Sequence, residues 1–142
     1  MNKDYRGQFI AGGLSAILLA GLTTVAGAAT QATTPPSVVV LNQKLDSGKV
    51  LVEYAYLPEK GYAVVYGADK DGNPIREPLG HLELAAGDHR KFKIPLNNPP
   101  PAGTKLWVNL YSDKDGKPGL DRSGDTAIWQ DTLPQANRIV IE

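Results

Sequence analysis

The chain has 142 residues, which fits one domain at the usual size of about 100–200 residues. Fifteen Lys and Arg residues balance fifteen Asp and Glu residues, and no basic run is present. This balance removes the electrostatic footprint of nucleic-acid binding, so we expect no nucleic-acid partner. The chain has no cysteine, which excludes disulfides, thiolate nucleophiles and Cys-type zinc or iron–sulfur sites.

Residues 1–29 have the pattern of a signal peptide. Lys3 and Arg6 form a short positive head, residues 10–25 are uncharged and apolar, and Ala26-Gly27-Ala28 is a small-x-small cleavage motif. We therefore expect cleavage at the end of this segment and export to the periplasm, the cell surface or the extracellular space. Two alternatives stay open. One is an uncleaved anchor, which would be the protein's membrane contact. The other is a pilin-type leader whose apolar helix is retained in a filament.

Residues 30–37 are predicted to be a polar linker, and residues 38–142 a β-domain. From Val38 onward the apolar residues recur with a period of two, which is typical of strands and not of helices. The expected strands are 38–41, 50–57, 62–66, 79–84, 90–96, 105–111 and 138–142, with a brief pairing at 127–129 and a loop at 69–78. We predict an all-β fold, an immunoglobulin-like antiparallel β-sandwich of about seven strands, preceded by the N-terminal signal helix.

The strand at 105–111 runs directly into a loop that is rich in aspartate. Its four carboxylates are candidate metal ligands, at Asp113, Asp115, Asp121 and Asp125. Ca²⁺ takes six to eight oxygen ligands of this kind. The loop lacks the third oxygen residue and the closing Glu of an EF-hand, so a calcium site remains one of two interpretations. The other is a solvated turn whose aspartates bond to their own backbone, and the similar Asp69-Lys70-Asp71-Gly72 turn is open to the same two interpretations.

Other chemistry has little support in the sequence. His81 and His89 lie in or beside adjacent predicted strands, but a blue-copper site would also need a Cys and usually a Met, and the only Met is Met1. No serine lies in a nucleophile-elbow context, and nothing selects a carboxylate pair for glycoside hydrolysis. We therefore expect surface histidines, no catalytic residues, no enzyme activity and no cofactor other than Ca²⁺.

Aromatic residues are candidates for contacts with a partner. Tyr54 and Tyr56 are predicted to share one face of their strand, as are Trp107 and Tyr111, while Trp129 lies beyond the aspartate loop. Tyr and Trp recur where an apolar body meets a polar partner, although half of each sandwich strand packs in the core. We expect Trp107 in the core and take Tyr111 and Trp129 as interaction residues.

Several short motifs, in a fixed order, resemble an exported domain of unknown function found in surface proteins of archaea and bacteria. They are Asp46-x-Gly48, Leu57-Pro58, Gly61-Tyr62-x-Val64-Val65, Pro78-Leu79-Gly80-His81, Leu84-Ala85-Ala86-Gly87 and Thr104-x-Leu106-Trp107-x-x-Leu110. The resemblance covers residues 38–142 and implies a β-sandwich without established catalytic activity. One departure is Tyr111, which stands where members often have His, so no metal role of that His is transferred.

Together these observations predict a non-catalytic, exported module of the cell envelope. It would act in a structural role or through contacts with an envelope protein or a polysaccharide. Two alternatives are a Ca²⁺-binding sandwich with the ion at the loop of residues 113–125, and a filament subunit that keeps its apolar N-terminal helix.

Overall fold

A computed structural model describes residues 34–130 and 133–142 of the chain. These residues form ten β-strands and no α-helix. The strands are β1 (Ser37–Val39), β2 (Lys49–Leu57), β3 (Gly61–Ala68), β4 (Pro74–Leu84), β5 (Gly87–Pro95), β6 (Lys105–Ser112), β7 (Thr126–Ala127), β8 (Trp129–Gln130), β9 (Leu133–Pro134) and β10 (Ala136–Val140). The predicted signal peptide, its helix, the filament alternative and the first half of the linker fall on residues 1–33, outside the described residues. Within the described residues, no helix has the length and apolar character needed to span a membrane.

The strands build two antiparallel sheets. One has the order β1-β2-β5, and the other has the order β10-β6-β3-β4 with β7 paired to β6. A separate pair joins β8 to β9. The prediction of an all-β fold is confirmed, and two antiparallel sheets around a common core are consistent with a β-sandwich.

The core consists of inward-facing side chains from both sheets. Strand β6 shows the expected alternation most clearly, because Leu106, Val108 and Leu110 are fully buried while the residues between them face the other side. Ile94 of β5 and Leu57 of β2 contribute from the three-stranded sheet. The sequence pattern of period two therefore translates directly into the packing of this strand.

The five-stranded sheet also buries part of its outer face. Tyr62, Val64 and Tyr66 of β3 form a second cluster there, packed against three half-buried residues, Trp107, Tyr111 and Leu120. Consequently residues 61–67 are buried without interruption, as is typical of a strand covered on both faces. Trp107, which we expected in the core, is partly buried against this outer cluster and not in the core between the two sheets.

Strand β4 is longer than the sequence predicts. The loop expected at residues 69–78 ends at Asn73, and Pro74 already begins the strand. Pro74 and Pro78 favoured a loop because proline donates no ladder hydrogen bond. Strand β4 lies at the edge of its sheet, where proline is tolerated, and register shifts around Tyr66 accommodate the pairing.

The alternation along β2 is interrupted near its middle. Val50 and Val52 are buried, but so are Ala55 and Leu57, so the inward face changes parity near Glu53. The partner strand has a matching irregularity opposite this point, because Lys91 has a φ of 49°, a conformation uncommon outside glycine. The uninterrupted alternation predicted for residues 50–57 is therefore wrong.

Candidate metal site and adjoining groove

The aspartate loop of residues 113–125 is held by the sheet at both ends. It leaves β6, where Asp113 N donates to Lys60 O at 3.0 Å, and it returns through β7, where Thr126 pairs with Ser112. Gly116 and Gly119 have φ values of 66° and 90°, which supply the left-handed turns of the loop. A short, anchored loop of this kind brings its side chains close together.

Three of the four predicted ligands converge. One carboxylate oxygen from each of Asp113, Asp115 and Asp125 lies within 4.8 Å of the other two. A single ion can contact all three, because Ca²⁺–oxygen distances of about 2.3–2.6 Å allow ligands to lie about 5 Å apart. The Asp113 side chain is 3% exposed, the Asp115 side chain 14%, and Asp125 as a whole 6%. The cluster is thus largely shielded from water.

Each carboxylate of the cluster also accepts a hydrogen bond from a backbone amide of the loop. The bonds run from Gly116 N to Asp113 Oδ1 at 2.8 Å, from Lys117 N to Asp115 Oδ1 at 2.9 Å, and from Asp121 N to Asp125 Oδ2 at 2.8 Å. These are the bonds that the turn interpretation expects. They also orient the carboxylates, so the two interpretations of the loop are compatible.

The remaining oxygens have different surroundings. Asp113 Oδ2 forms an ion pair with Lys60 Nζ at 3.3 Å. Asp115 Oδ2 is buried and accepts no hydrogen bond from the described residues, with Lys117 Nζ at 3.8 Å as its nearest cation. A buried acceptor without a partner costs about 1–3 kcal/mol, and more when it is charged. Asp115 Oδ2 therefore has no close partner in the described residues, and a bound cation would be such a partner.

The site has a negative field that reaches nearby groups. Burial raises the pKa of Tyr62, and the charges of Asp113 and Glu83 add to the increase. The pKa of Lys60 is raised by its hydrogen bonds to Glu83 and Asp113. Nearby carboxylates raise both pKa values, because they disfavour a negative tyrosinate and favour a positive lysine.

Asp121 does not join the cluster. Its Oδ1 accepts hydrogen bonds from Ser123 Oγ at 2.6 Å and from Ser123 N at 2.9 Å. The Ser123 hydroxyl and amide lower the pKa of Asp121, which fits a carboxylate that stabilises its own turn. Gly124, by contrast, was not singled out from the sequence. A Cβ there would lie 2.4 Å from Asp115 Oδ2, so only glycine leaves room for this carboxylate.

The second aspartate turn has no cluster. Asp69 Oδ1 accepts hydrogen bonds from Asp71 N and Asn73 N, both at 2.9 Å. The Asn73 amide is the main reason that the pKa of Asp69 lies below its usual value. Among the described residues, only Asp113, Asp115 and Asp125 form a group of three metal-ligand side chains. The Asp69 turn thus matches the turn interpretation.

We expect Asp69→Ala to destabilise the domain at neutral pH, because two amides lose their acceptor. Since the folded pKa is depressed, the charged form contributes stability above about pH 3.8, and this contribution is lost as the pH falls through the folded pKa. The difference in Tm between the two proteins should therefore shrink from about pH 5 to about pH 2. Thermal unfolding across this range checks it, and a constant difference would contradict a role of the charge.

The histidines lie on strands of different sheets. His81 on β4 packs edge-on against the Tyr62 ring, with centroids 6.0 Å apart. His89 on β5 places Nε2 2.7 Å from Ala85 O. Neither belongs to the carboxylate cluster. These separate contacts are those of surface histidines and not of a shared metal site.

The two predicted interaction residues have different environments. Trp129 on β8 is 56% exposed. Tyr111 is half-buried on the outer face of the five-stranded sheet, where Tyr66 Oη donates to Tyr111 Oη at 2.9 Å. The neighbouring Trp107 donates from Nε1 to Gly72 O at 2.9 Å. Tyr111 is therefore the more enclosed of the two side chains.

A cleft of about 880 Å³ opens on this face, and Tyr111 lines it. Strand β4 contributes Arg76, Glu77 and His81, and the aspartate loop contributes Asp121 and Arg122. A smaller pocket of about 190 Å³ shares Arg76, Tyr111 and Arg122 with the cleft and adds Asn109. We call the two together the outer groove. It was not predictable from motifs, because its walls come from distant parts of the chain.

Two antiparallel sheets with a carboxylate cluster in one connecting loop define an all-β domain with a candidate cation site. The family model described as "Domain of unknown function (DUF7282)" matches residues 36–141, and the chain belongs to this family. The resemblance to a domain of unknown function is thereby confirmed. No curated protein and no solved structure matches the chain.

Proposed function

We propose that this protein is a non-catalytic binding module of the cell envelope and that its aspartate loop binds Ca²⁺. The observation that carries the calcium proposal is the convergence of Asp113, Asp115 and Asp125. It is supported by a buried oxygen of the cluster residue Asp115, Oδ2, that has no hydrogen-bond partner among the described residues. Export is supported by the signal-like pattern of residues 1–29. Occurrence in envelope proteins is what the resemblance implies.

We also propose that the sandwich is immunoglobulin-like. The order β1-β2-β5 in one sheet and β10-β6-β3-β4 in the other corresponds to the A-B-E and G-F-C grouping of that fold, with β4 as an added edge strand. Sandwiches of this type often serve as surface modules, and their ligands bind at loops and exposed sheet faces. The fold therefore supports a binding role but does not identify a particular ligand.

The chemistry of the cluster favours Ca²⁺ over other metals. All three side-chain ligands are carboxylates, and no imidazole or thiolate lies among them, so the site suits a hard cation. Mg²⁺ demands near-ideal octahedral geometry, whereas Ca²⁺ accepts irregular sets of six to eight oxygens completed by carbonyls and water. A surface loop with carboxylates at its start and end provides an irregular set of oxygens, which Ca²⁺ accepts and Mg²⁺ does not.

The bound ion would order the loop that forms one wall of the outer groove. Asp121 and Asp125 line this wall and belong to the same loop as the cluster. The ion would offset the charge of three converging carboxylates, a task that Lys60 and Lys117 perform in part. The consequence is a binding surface whose shape depends on calcium.

Thermal unfolding of the purified protein with excess Ca²⁺ and with EDTA tests this function. An ion that binds only the folded state stabilises it by about 2.7 kcal/mol at one hundred times its dissociation constant. For a domain of this size the expected rise in Tm is about 8–15 °C. Mg²⁺ at the same concentration is the control and should give a smaller shift. Superimposable unfolding curves in Ca²⁺ and EDTA would contradict calcium binding and would leave the aspartates with a role in the turn alone.

A further inference from the structure

We infer that the outer groove binds an uncharged saccharide chain. This inference names the ligand of the proposed binding module and rests on that proposal, but it does not require the calcium ion. It follows from the floor of the groove, from one unpartnered acceptor and one unpartnered cation, and from the balance of charge along its walls.

The floor of the groove is a fixed aromatic pair. Tyr66 on β3 is 4% exposed and donates its hydroxyl hydrogen bond to Tyr111 on the adjacent strand β6. The half-buried Tyr111 lines both the cleft and the smaller pocket. A ring held in place by its neighbours offers an apolar face at little entropic cost. The C–H face of a pyranose ring is complementary to such a surface.

The smaller pocket contains an acceptor without a donor. Asn109 lines this pocket, and its Oδ1 is buried and accepts no hydrogen bond from any described residue. Buried polar atoms nearly always have a partner, so an exception next to a pocket indicates a group supplied from outside. A ligand hydroxyl is such a donor. Ile75, which is 39% exposed, lines the same pocket.

The two arginines of the groove differ in their contacts. Arg122 donates to Arg76 O and lies 3.6 Å from Glu77 Oε1, so its position is fixed. The Arg76 guanidinium forms no hydrogen bond or ion pair with the described part of the chain. A planar group with five donors and no partner in the described residues, in the lining of a groove, is suited to adjacent hydroxyl oxygens.

Charge along the walls favours an uncharged ligand. Arg76 and Arg122 supply two positive charges, whereas Glu77, Asp121 and Asp125 supply three negative ones. A phosphate or a polyanion would meet three carboxylates, and a polycation would meet two guanidinium groups. Saccharide hydroxyls both donate and accept hydrogen bonds, so they can use donors and acceptors placed side by side. The cleft of about 880 Å³ is also large enough for several sugar units.

Ligand-observed NMR with defined hexasaccharides tests the inference. The probes are maltohexaose, cellohexaose, mannohexaose and chitohexaose in its N-acetylated form, with hexagalacturonate as the anionic comparison. We expect saturation transfer to at least one neutral probe and a weaker or absent signal for hexagalacturonate. Absence of transfer to all four neutral probes, or transfer to hexagalacturonate alone, would overturn the inference.

Variants locate the binding. Arg76→Ala should weaken the neutral complex about tenfold, since it removes a charged donor whose guanidinium has no hydrogen bond or ion pair with the described residues. Tyr111→Phe keeps the ring and should bind within about threefold of the parent, whereas Tyr111→Leu should bind at least tenfold more weakly. Arg90→Ala, on strand β5 of the other sheet and outside the groove, is the matched control for Arg76→Ala and should leave affinity unchanged. Undiminished binding by Arg76→Ala and Tyr111→Leu would place the saccharide elsewhere.

The same titrations in EDTA separate this inference from the calcium proposal. If the saccharide binds but Ca²⁺ does not raise Tm, the saccharide inference is supported and the calcium proposal is rejected. If Ca²⁺ raises Tm but no saccharide binds, the calcium proposal is supported and the saccharide inference is rejected.

Discussion

Gly61→Ala is expected to destabilise the domain by about 3 kcal/mol or more, because the added methyl group would overlap the backbone of the neighbouring strand. A Cβ at Gly61 would lie 1.9 Å from Tyr111 O and 3.0 Å from Leu57 Cδ2. Tyr111 belongs to the ladder between β3 and β6, so its carbonyl cannot move without separating the strands. Thermal unfolding should show a fall in Tm of about 10 °C or more, or no cooperative transition.

Gly67→Ala on the same strand is the matched control. Its Cβ would meet Ile75 Cδ1 at 2.9 Å, which is the far end of a flexible side chain that is 39% exposed. This side chain can rotate away, so a loss below about 1 kcal/mol is expected. Equal Tm values for the two variants would contradict the close approach of β3 and β6 at Gly61.

Asp125→Ala is expected to destabilise the domain in EDTA as well as in Ca²⁺. The Asp125 carboxylate accepts hydrogen bonds from Asp121 N at 2.8 Å and from Lys114 N at 3.3 Å, and it thereby ties the two halves of the loop together. Leaving these amides without an acceptor costs about 2 kcal/mol in the absence of the ion. In excess Ca²⁺ the variant should also lose the calcium-dependent rise in Tm. Thermal unfolding under both conditions measures the two losses separately.

Asp115→Asn separates the metal role from the structural role. The amide has nearly the same shape, and its oxygen can still accept the bond from Lys117 N. It removes one of three converging charges, so stability in EDTA should stay within about 0.5 kcal/mol of the parent. The calcium-dependent rise in Tm should disappear. A variant that loses stability equally in EDTA and Ca²⁺ would show that Asp115 is a turn residue alone.

Sequence periodicity predicts the strands of this fold well where one face is buried and the other is polar, as in β6. Periodicity predicts the strands poorly where the position in the sheet or the backbone of a neighbouring strand determines the conformation. Residues 74–78 read as a loop because of Pro74 and Pro78, yet an edge strand tolerates both. Along β2 the change of inward face near Glu53 depends on the backbone of Lys91 in another strand, which no local pattern reveals.

The candidate site was predictable only in part. Asp113, Asp115 and Asp125 share one loop, so their spacing in the sequence is enough to suggest a metal site. The separation of Asp121 from the cluster depends on its hydrogen bonds to Ser123, and the role of Gly124 depends on its contact with Asp115. The outer groove has no counterpart in the sequence pattern, because Arg76 and Arg122 approach each other across 46 residues of chain.

Isothermal titration of Ca²⁺ into metal-free protein determines whether the aspartate loop binds this ion. We predict saturable binding of one ion per chain, with affinity reduced at least tenfold in Asp115→Asn and unchanged in Asp69→Asn, whose turn lies outside the cluster. Absence of saturable binding at millimolar Ca²⁺, or equal affinity in the parent and Asp115→Asn, would contradict a calcium site at Asp113, Asp115 and Asp125.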